Sequence, residues 1–228
     1  MAPPKQNLEL TKINLRVNIS KVISIAELEG IFQLKFTLIS TWFDKRLTYK
    51  NLQKDENINL IGNPEKIWRP EYILVNTDSD EDKQSHGGQS TYLIIPDFHS
   101  KYLSDNTQSK KSYYFPGDKN SIKKIETYKA AFECEYDMRR YPFDIQICYM
   151  EIMVAGNRDM FMDLVPENLS YMGPDEVFSQ YVVLKKSICA ANVHPRRGII
   201  VEFIMKRSLS PSLLCIYLPT IIVNLIGK

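Results

Sequence analysis

The chain has 228 residues, 44% of them hydrophobic, with nine glycines and a formal net charge of +2. Length suits one large domain or two small ones, and composition excludes a disordered or collagen-like chain. Acids and bases nearly balance, so there is no basic stripe and no nucleic-acid partner is expected.

No apolar run follows Met1-Ala-Pro-Pro-Lys-Gln, so no signal peptide is read there, and the chain is expected to be incomplete at both ends. From Lys12 to Trp42 the residues alternate. Ile13, Leu15 and Val17 share one face, and Phe32, Leu34, Phe36 and Leu38 oppose Ile31, Gln33, Lys35 and Thr37. Period two with β-branched and aromatic residues predicts strands. Ala26 to Gly30 reads as their hairpin connection. Asp44 to Glu65 is polar and turn-rich, with Asn63-Pro64 as a breaker.

Thr77 to Gln89 is acidic and then Gly-rich, which predicts an exposed loop. Its carboxylates are not read as a metal site, because calcium needs six or more oxygens held in place. Ser104 to Ser112 reads as a second polar loop. Further strands are predicted at Ser121–Phe132, Ile145–Val154, Tyr181–Ala190 and Gly198–Met205. About ten short strands without a repeat, and without an amphipathic helix before residue 207, predict an all-β sandwich. Leu209 to Ile226 then carries no charge and nearly reaches the ~20 residues a membrane helix needs. Pro211 and Pro219 speak against a buried strand pair there.

The four cysteines are Cys134, Cys148, Cys189 and Cys215, none at C-x-x-C spacing, and His86, His99 and His194 are scattered. Neither a zinc site nor any cofactor is expected. Cys134 and Cys148 close a short loop and could form a structural disulfide, which would place the domain outside the cell. The sequons Asn18-Ile-Ser20 and Asn168-Leu-Ser170 agree with secretion and make Asn18 and Asn168 glycosylation candidates.

The stretch Cys134-Glu-Tyr-Asp-Met-Arg-Arg-Tyr-Pro-Phe-Asp-Ile-Gln-Ile-Cys148 resembles the signature loop of Cys-loop receptors, the pentameric ligand-gated ion channels. Thirteen residues separate its cysteines, and Tyr141-Pro142-Phe143-Asp144 fills the aromatic-Pro-aromatic-Asp centre. Three more matches follow the family's order. Trp42-Phe-Asp44-Lys-Arg46-Leu47 is similar to its Trp-x-Asp-x-Arg-Leu strand. Trp68-Arg-Pro70-Glu71 is similar to its Trp-x-Pro-Asp motif, with Glu in place of Asp. Arg207, twelve residues before Pro219, matches the basic residue ahead of the first membrane helix and that helix's proline.

The resemblance implies a ten-stranded immunoglobulin-like β-sandwich over residues 1–207 and a truncated first membrane helix over 208–228. It implies a Cys134–Cys148 disulfide, a cis bond at Tyr141-Pro142, and five subunits, identical or homologous, holding a small-molecule ligand between neighbours. It implies a cell-membrane protein with this domain extracellular, anchored through the C-terminal helix. Asp144 and Arg207 are similar to the family's buried acid–base pair, which links the Cys-loop tip to the first helix and so to gating.

The ligand positions depart from the amine-binding pattern, in which aromatic rings surround a cation. Thr37, Val75 and Ala155 stand where rings are usual, and loop C is read as Asn192-Val-His-Pro-Arg-Arg197, without a tyrosine. His194, Arg196 and Arg197 are candidates for holding an anionic group, and Tyr113 and Tyr114 for aromatic surface from the opposite face. Two other readings stay open. A secreted soluble homologue of the same fold would not need the apolar tail, and an adhesion-type sandwich would not explain the Cys-loop interior. No catalytic motif points to an enzyme.

Overall fold

The computed structural model describes Pro4 and residues 10–77, 90–103, 112–155, 161–177, 180–193 and 196–227. Thirteen strands lie among them. The first five are β1 (Thr11–Ala26), β2 (Ile31–Trp42), β3 (Thr48–Lys50), β4 (Tyr72–Leu74) and β5 (Thr91–Ile95). Then come β6 (Tyr102–Leu103), β7 (Tyr113–Pro116), β8 (Ser121–Glu133) and β9 (Ile145–Val154). The last four are β10 (Met162–Tyr171), β11 (Glu176–Val177), β12 (Tyr181–Val193) and β13 (Arg196–Arg207).

Ten of these strands form two five-stranded sheets, an inner one ordered β10-β1-β2-β8-β5 and an outer one ordered β11-β12-β13-β9-β4. The expected sandwich is therefore present, with a small third sheet, β3-β7-β6, added to it. Alternation sets the inner face. Ile13, Leu15, Val17 and Ile19 are buried against Phe32, Leu34, Phe36 and Leu38. Phe32 joins the layers, with ring centroids 5.6 Å from Phe132 and 5.9 Å from Phe203. Each such buried side chain is worth roughly 1.5–3 kcal/mol of transfer free energy.

Strand β10 is not legible from alternation. It runs parallel to β1 and slips register where Leu15 faces Pro166 but Arg16 faces Asn168. Proline has no N–H for a ladder and is tolerated at such an irregularity. Asn168 is exposed on this strand. Asn18 is half-buried on β1, where its Oδ1 accepts from Ser170 Oγ at 2.7 Å.

The Trp motifs are structural. Trp42 and Trp68 are both buried and meet edge to face at 6.0 Å. Asp44, also buried, holds Arg46 bidentately, with Nε at 2.8 Å and Nη2 at 2.6 Å. Gly117 closes over this corner, where an added Cβ would lie 2.2 Å from the Asp44 carbonyl oxygen. The Pro70 carbonyl accepts from Lys124 Nζ at 3.1 Å, and Lys124 pairs with Glu126 at 2.8 Å inside the sandwich. Two charges at core-facing positions of β8 are thus satisfied by each other and by backbone.

Two loop readings change. Asn192 to Arg197 is not a six-residue loop, because β12 extends to Val193 and β13 begins at Arg196. Thr77 is not exposed: it is buried and bridges to Phe132. The acidic stretch 78–89, the polar stretch 104–111 and His194 lie outside the described residues.

Leu209 onward is helical, as α1 (Leu209–Ser212), a π-helical stretch Leu213–Tyr217 and α2 (Leu218–Ile226). Pro219 sits in the first turn of α2, where a missing N–H costs least. Among the described residues no helix is long and apolar enough to cross a membrane.

Candidate functional site

Strand β8 ends beside Cys134, and the chain crosses from the inner to the outer sheet before β9 carries Cys148. The two cysteines are disulfide-bonded with Cα atoms 5.1 Å apart. Inside the loop, Asp137 caps a 3-10 turn over Met138–Arg140 by accepting from the Arg139 amide. The Arg139 side chain also donates to it, and these bonds hold its carboxyl down at about 2. Tyr141-Pro142 is cis, and Tyr141 and Phe143 project at the exposed tip.

Asp144 then turns inward and is buried. Gln146 locks it there by donating to its Oδ2 and to the Asp137 carbonyl, while accepting from the Asp137 amide at 2.8 Å. Arg207, at the end of β13, meets it with Nε 2.7 Å from Asp144 Oδ1. The guanidinium also donates from Nη1 to Glu27 Oε1 at 2.7 Å and from Nη2 to the Tyr181 hydroxyl. Tyr181 in turn donates to Glu27 Oε1 at 2.7 Å. The rings of Tyr141 and Tyr181 lie 4.8 and 4.7 Å from the guanidinium carbon.

Arg207 is therefore a hub. It binds the β1–β2 turn through Glu27, the disulfide loop through Asp144 and Tyr141, and the start of β12 through Tyr181. One residue later the chain enters the C-terminal helix. An open cavity of about 570 Å³ lies at this end, between Ala26–Glu29, Tyr141, Gln180 and Arg207. The expected Asp144–Arg207 pairing exists as a buried contact and not as two separate surface charges.

Burial pushes the Asp144 carboxyl up, but hydrogen bonds from Arg207 and Gln146 outweigh it and hold it below the usual carboxylate range. Burial lowers the Arg207 guanidinium, and the Asp144 and Glu27 bonds more than reverse this. A carboxyl depressed by folding stabilises above its unfolded pKa of about 3.9, and that stability is lost as pH falls through the folded value. This pair should thus give no pH dependence from pH 7 to 5 and an acid limb below about 4. In thermal melts, Asp144→Asn should shrink that limb, part of which belongs to the depressed Asp137 carboxyl; an unchanged limb would assign it wholly to other carboxylates.

With this geometry stands a match to the family model described as the neurotransmitter-gated ion-channel ligand binding domain, over residues 1–207. The chain belongs to this family. A γ-aminobutyric acid receptor subunit theta from Mus musculus is 22% identical over 94% of this chain and 31% of its own length. Neuronal acetylcholine receptor subunits are also similar. Beta-4 from Rattus norvegicus is 26% identical and beta-2 from the same species 27% identical, each over 65% of this chain and 25% of its own length. The chain thus spans about a third or less of the length of these relatives.

Within this ligand-binding-domain fold, the expected ligand positions separate into three groups, one on each sheet. Thr37 stands on the exposed face of the inner sheet, its Oγ1 3.1 Å from Thr127 Oγ1. Val75 and Ala155 flank the short β4–β9 pairing of the outer sheet, with Val75 N bonded to Glu151 O and Ala155 N to Glu71 O. Arg197 lies near Ala155, because Gly198 faces Met153, and its Nη1 is 4.0 Å from Asp163 Oδ1. Nothing is described of the Arg196 side chain. Tyr113 and Tyr114 belong to the small third sheet, where Tyr114 stacks on Tyr102 at 5.8 Å and Lys101 covers Tyr113 at 4.8 Å. One chain does not bring these groups together.

Sequence reasoning missed Glu27 and Tyr181. Glu27 lies in a polar turn and its guanidinium partner is 180 residues away. Tyr181 shows as a core-facing residue, but nothing in its neighbours marks its hydroxyl.

Proposed function

We propose that this chain is the extracellular part of a ring-forming, ligand-gated channel subunit, and that ligand binds between neighbouring copies and acts through Arg207. The observation that carries it is the hub itself. The Arg207 side chain holds the β1–β2 turn, the disulfide loop and β12 at the doorway to the C-terminal helix, which continues into the membrane in this reading. Ligand binding that shifts the outer sheet would then move the helix by its differential affinity for the two states. The separation of Thr37 from Val75, Ala155 and Arg197 supports a site completed by a second subunit.

The ligand in this reading is not an amine caged by rings, since Thr37, Val75 and Ala155 supply none. Arg197, facing Asp163 at the limit of an ion pair, favours a ligand that offers a carboxylate. Native mass spectrometry of the chain in detergent tests the assembly: a five-fold mass is expected, and a persistent monomer would overturn it. Calorimetry with acetylcholine should give no saturable heat. Saturable binding that is lost on Thr37→Glu would reinstate an amine site.

A further inference from the structure

The small third sheet and the chain beside it frame a cavity that shares no lining residue with the one at Arg207. Past the end of β3, Asn51 takes a left-handed φ of 53°, which asparagine tolerates better than most residues. Its amide donates to the Tyr113 carbonyl at 2.8 Å and its Oδ1 accepts from the Tyr113 amide at 2.9 Å. The turn is thus pinned to the start of β7. Gln53 is fixed nearby, its amide donating to Asn59 Oδ1 at 2.8 Å. On another side, a turn closes with the Ser100 amide on the Asp97 carbonyl at 3.1 Å, and Phe98 meets Phe115 edge to face at 5.6 Å. Between these segments lies an open space of about 390 Å³, bounded by Leu52, Gln53, Phe98, Lys101, Tyr113 and Phe115.

Three of the six bounding side chains are rings, and they hold a cation. Lys101 Nζ lies 4.8 Å from the Tyr113 centroid and 5.9 Å from the Phe98 centroid. Ring faces attract an ammonium through their quadrupoles, so two side chains keep this one at the cavity. Lys101 is exposed and forms no ion pair among the described residues. Carboxylates flanking the cavity in sequence are engaged elsewhere. Asp55 accepts from the Asn57 amide at 3.0 Å, Glu56 pairs with Lys123 at 2.7 Å, and Asp97 accepts from the His99 amide at 3.0 Å. The result is an aromatic cleft with one positioned ammonium that no described carboxylate neutralises.

We propose that this cavity binds a small aromatic monocarboxylate within a single chain, its ring against Phe98 and Tyr113 and its carboxylate on Lys101. The volume lies toward the small end of the range for small-molecule sites, roughly 300–1,000 Å³, and suits a molecule built on a single ring. One ammonium balances one carboxylate. A phosphate or dicarboxylate would bring charge that the cleft does not match, and there is no guanidinium fork to receive it. The site is separate from the interface ligand of the reading above and needs no ring of subunits, since neither Thr37 nor Arg197 bounds it. Occupancy would tie the end of β3, the turn carrying Phe98 and the start of β7 to one another, so bound ligand stabilises the folded chain.

Calorimetry of the full chain in detergent, with benzoate as the probe, tests it. Saturable heat at one site per chain is expected, together with a rise in melting temperature. Benzamide keeps the ring and shape but not the charge, and cyclohexanecarboxylate keeps the charge but not the ring; both should bind roughly tenfold or more weakly. Lys101→Met should weaken benzoate by a similar factor, and Lys101→Arg should largely retain it. The position is exposed, so both variants should melt like wild type without ligand. Arg197→Met should leave benzoate binding unchanged. Absence of saturable heat with the wild-type chain would overturn the site, as would benzoate binding that survives Lys101→Met. Binding lost on Arg197→Met but kept on Lys101→Met would move the carboxylate to the interface ligand and also overturn it. Benzylamine binding more tightly than benzoate would mean that the rings take a cation in place of Lys101, against the proposal. None of these results depends on the ring, whose own test is the five-fold mass.

Discussion

Arg207→Met is expected to destabilise the sandwich by about 3–5 kcal/mol, the range for removing one member of a buried ion pair. Methionine keeps much of the side chain's length and apolar stem, so the loss reports the guanidinium and not a cavity. What remains is Asp144, its side chain 1% exposed, left without its cation and with Gln146 as its remaining side-chain donor. Glu27, 23% exposed, keeps part of its hydration and suffers less. The Tyr181 hydroxyl loses its guanidinium partner but still donates to Glu27. Arg207→Lys should cost less than methionine yet fall well short of wild type, because an ammonium cannot reach Asp144, Glu27 and Tyr181 as a planar fork does. Removing the charge on both sides, with Asp144→Asn and Arg207→Met together, should recover part of the loss. Urea unfolding followed by tryptophan fluorescence reads this directly, since Trp42 and Trp68 are the two tryptophans and both are buried. A loss below about 1 kcal/mol would mean that the pair behaves as an exposed one and that the hub does not hold the three segments.

The same hub marks the limit of what the residues alone reveal. Asp144 and Arg207 were legible because each falls on a motif of the family that the chain resembles, the disulfide loop and the basic residue twelve before Pro219. Glu27 and Tyr181 were not, because their roles depend on a β1–β2 turn and a β12 start that meet only after both sheets have packed. The strands with clean alternation, β2, β8 and β9, came out within a residue or so of their ends. Strand β10 did not, since Pro166 and the register slip beside it erase the period of two. Lys124 and Glu126 broke the pattern in another way. Two charges on a core-facing register argue against burial until the Pro70 carbonyl and the ion pair between them are seen. Thr37 lies on β2, while Val75 and Ala155 fall just past the ends of β4 and β9, and this division between the sheets is a property of topology that spacing does not carry.

Removing the disulfide with Cys134→Ala and Cys148→Ala should lower the unfolding free energy by about 3 kcal/mol, the chain-entropy value for a closed loop of roughly 15 residues. The route of this loss should differ from that of Arg207→Met. In the folded chain the loop has other anchors: the Cys134 amide bonds the Gly30 carbonyl at 2.7 Å, Gln146 bonds Asp137, and Arg207 holds Asp144. Those contacts should keep Tyr141 and Phe143 near their wild-type places once the bond is gone. The disulfide then acts mainly on the unfolded chain, which without it expands and exposes more surface. The urea m-value should therefore rise as stability falls, whereas Arg207→Met should leave m unchanged. If the double alanine variant loses stability with m constant, the cost lies in the native packing of two buried sulfurs and not in loop entropy. If Arg207→Met is then added to it, the losses should exceed their sum, because the loop would have lost both the covalent closure and the contact that holds Asp144 inward.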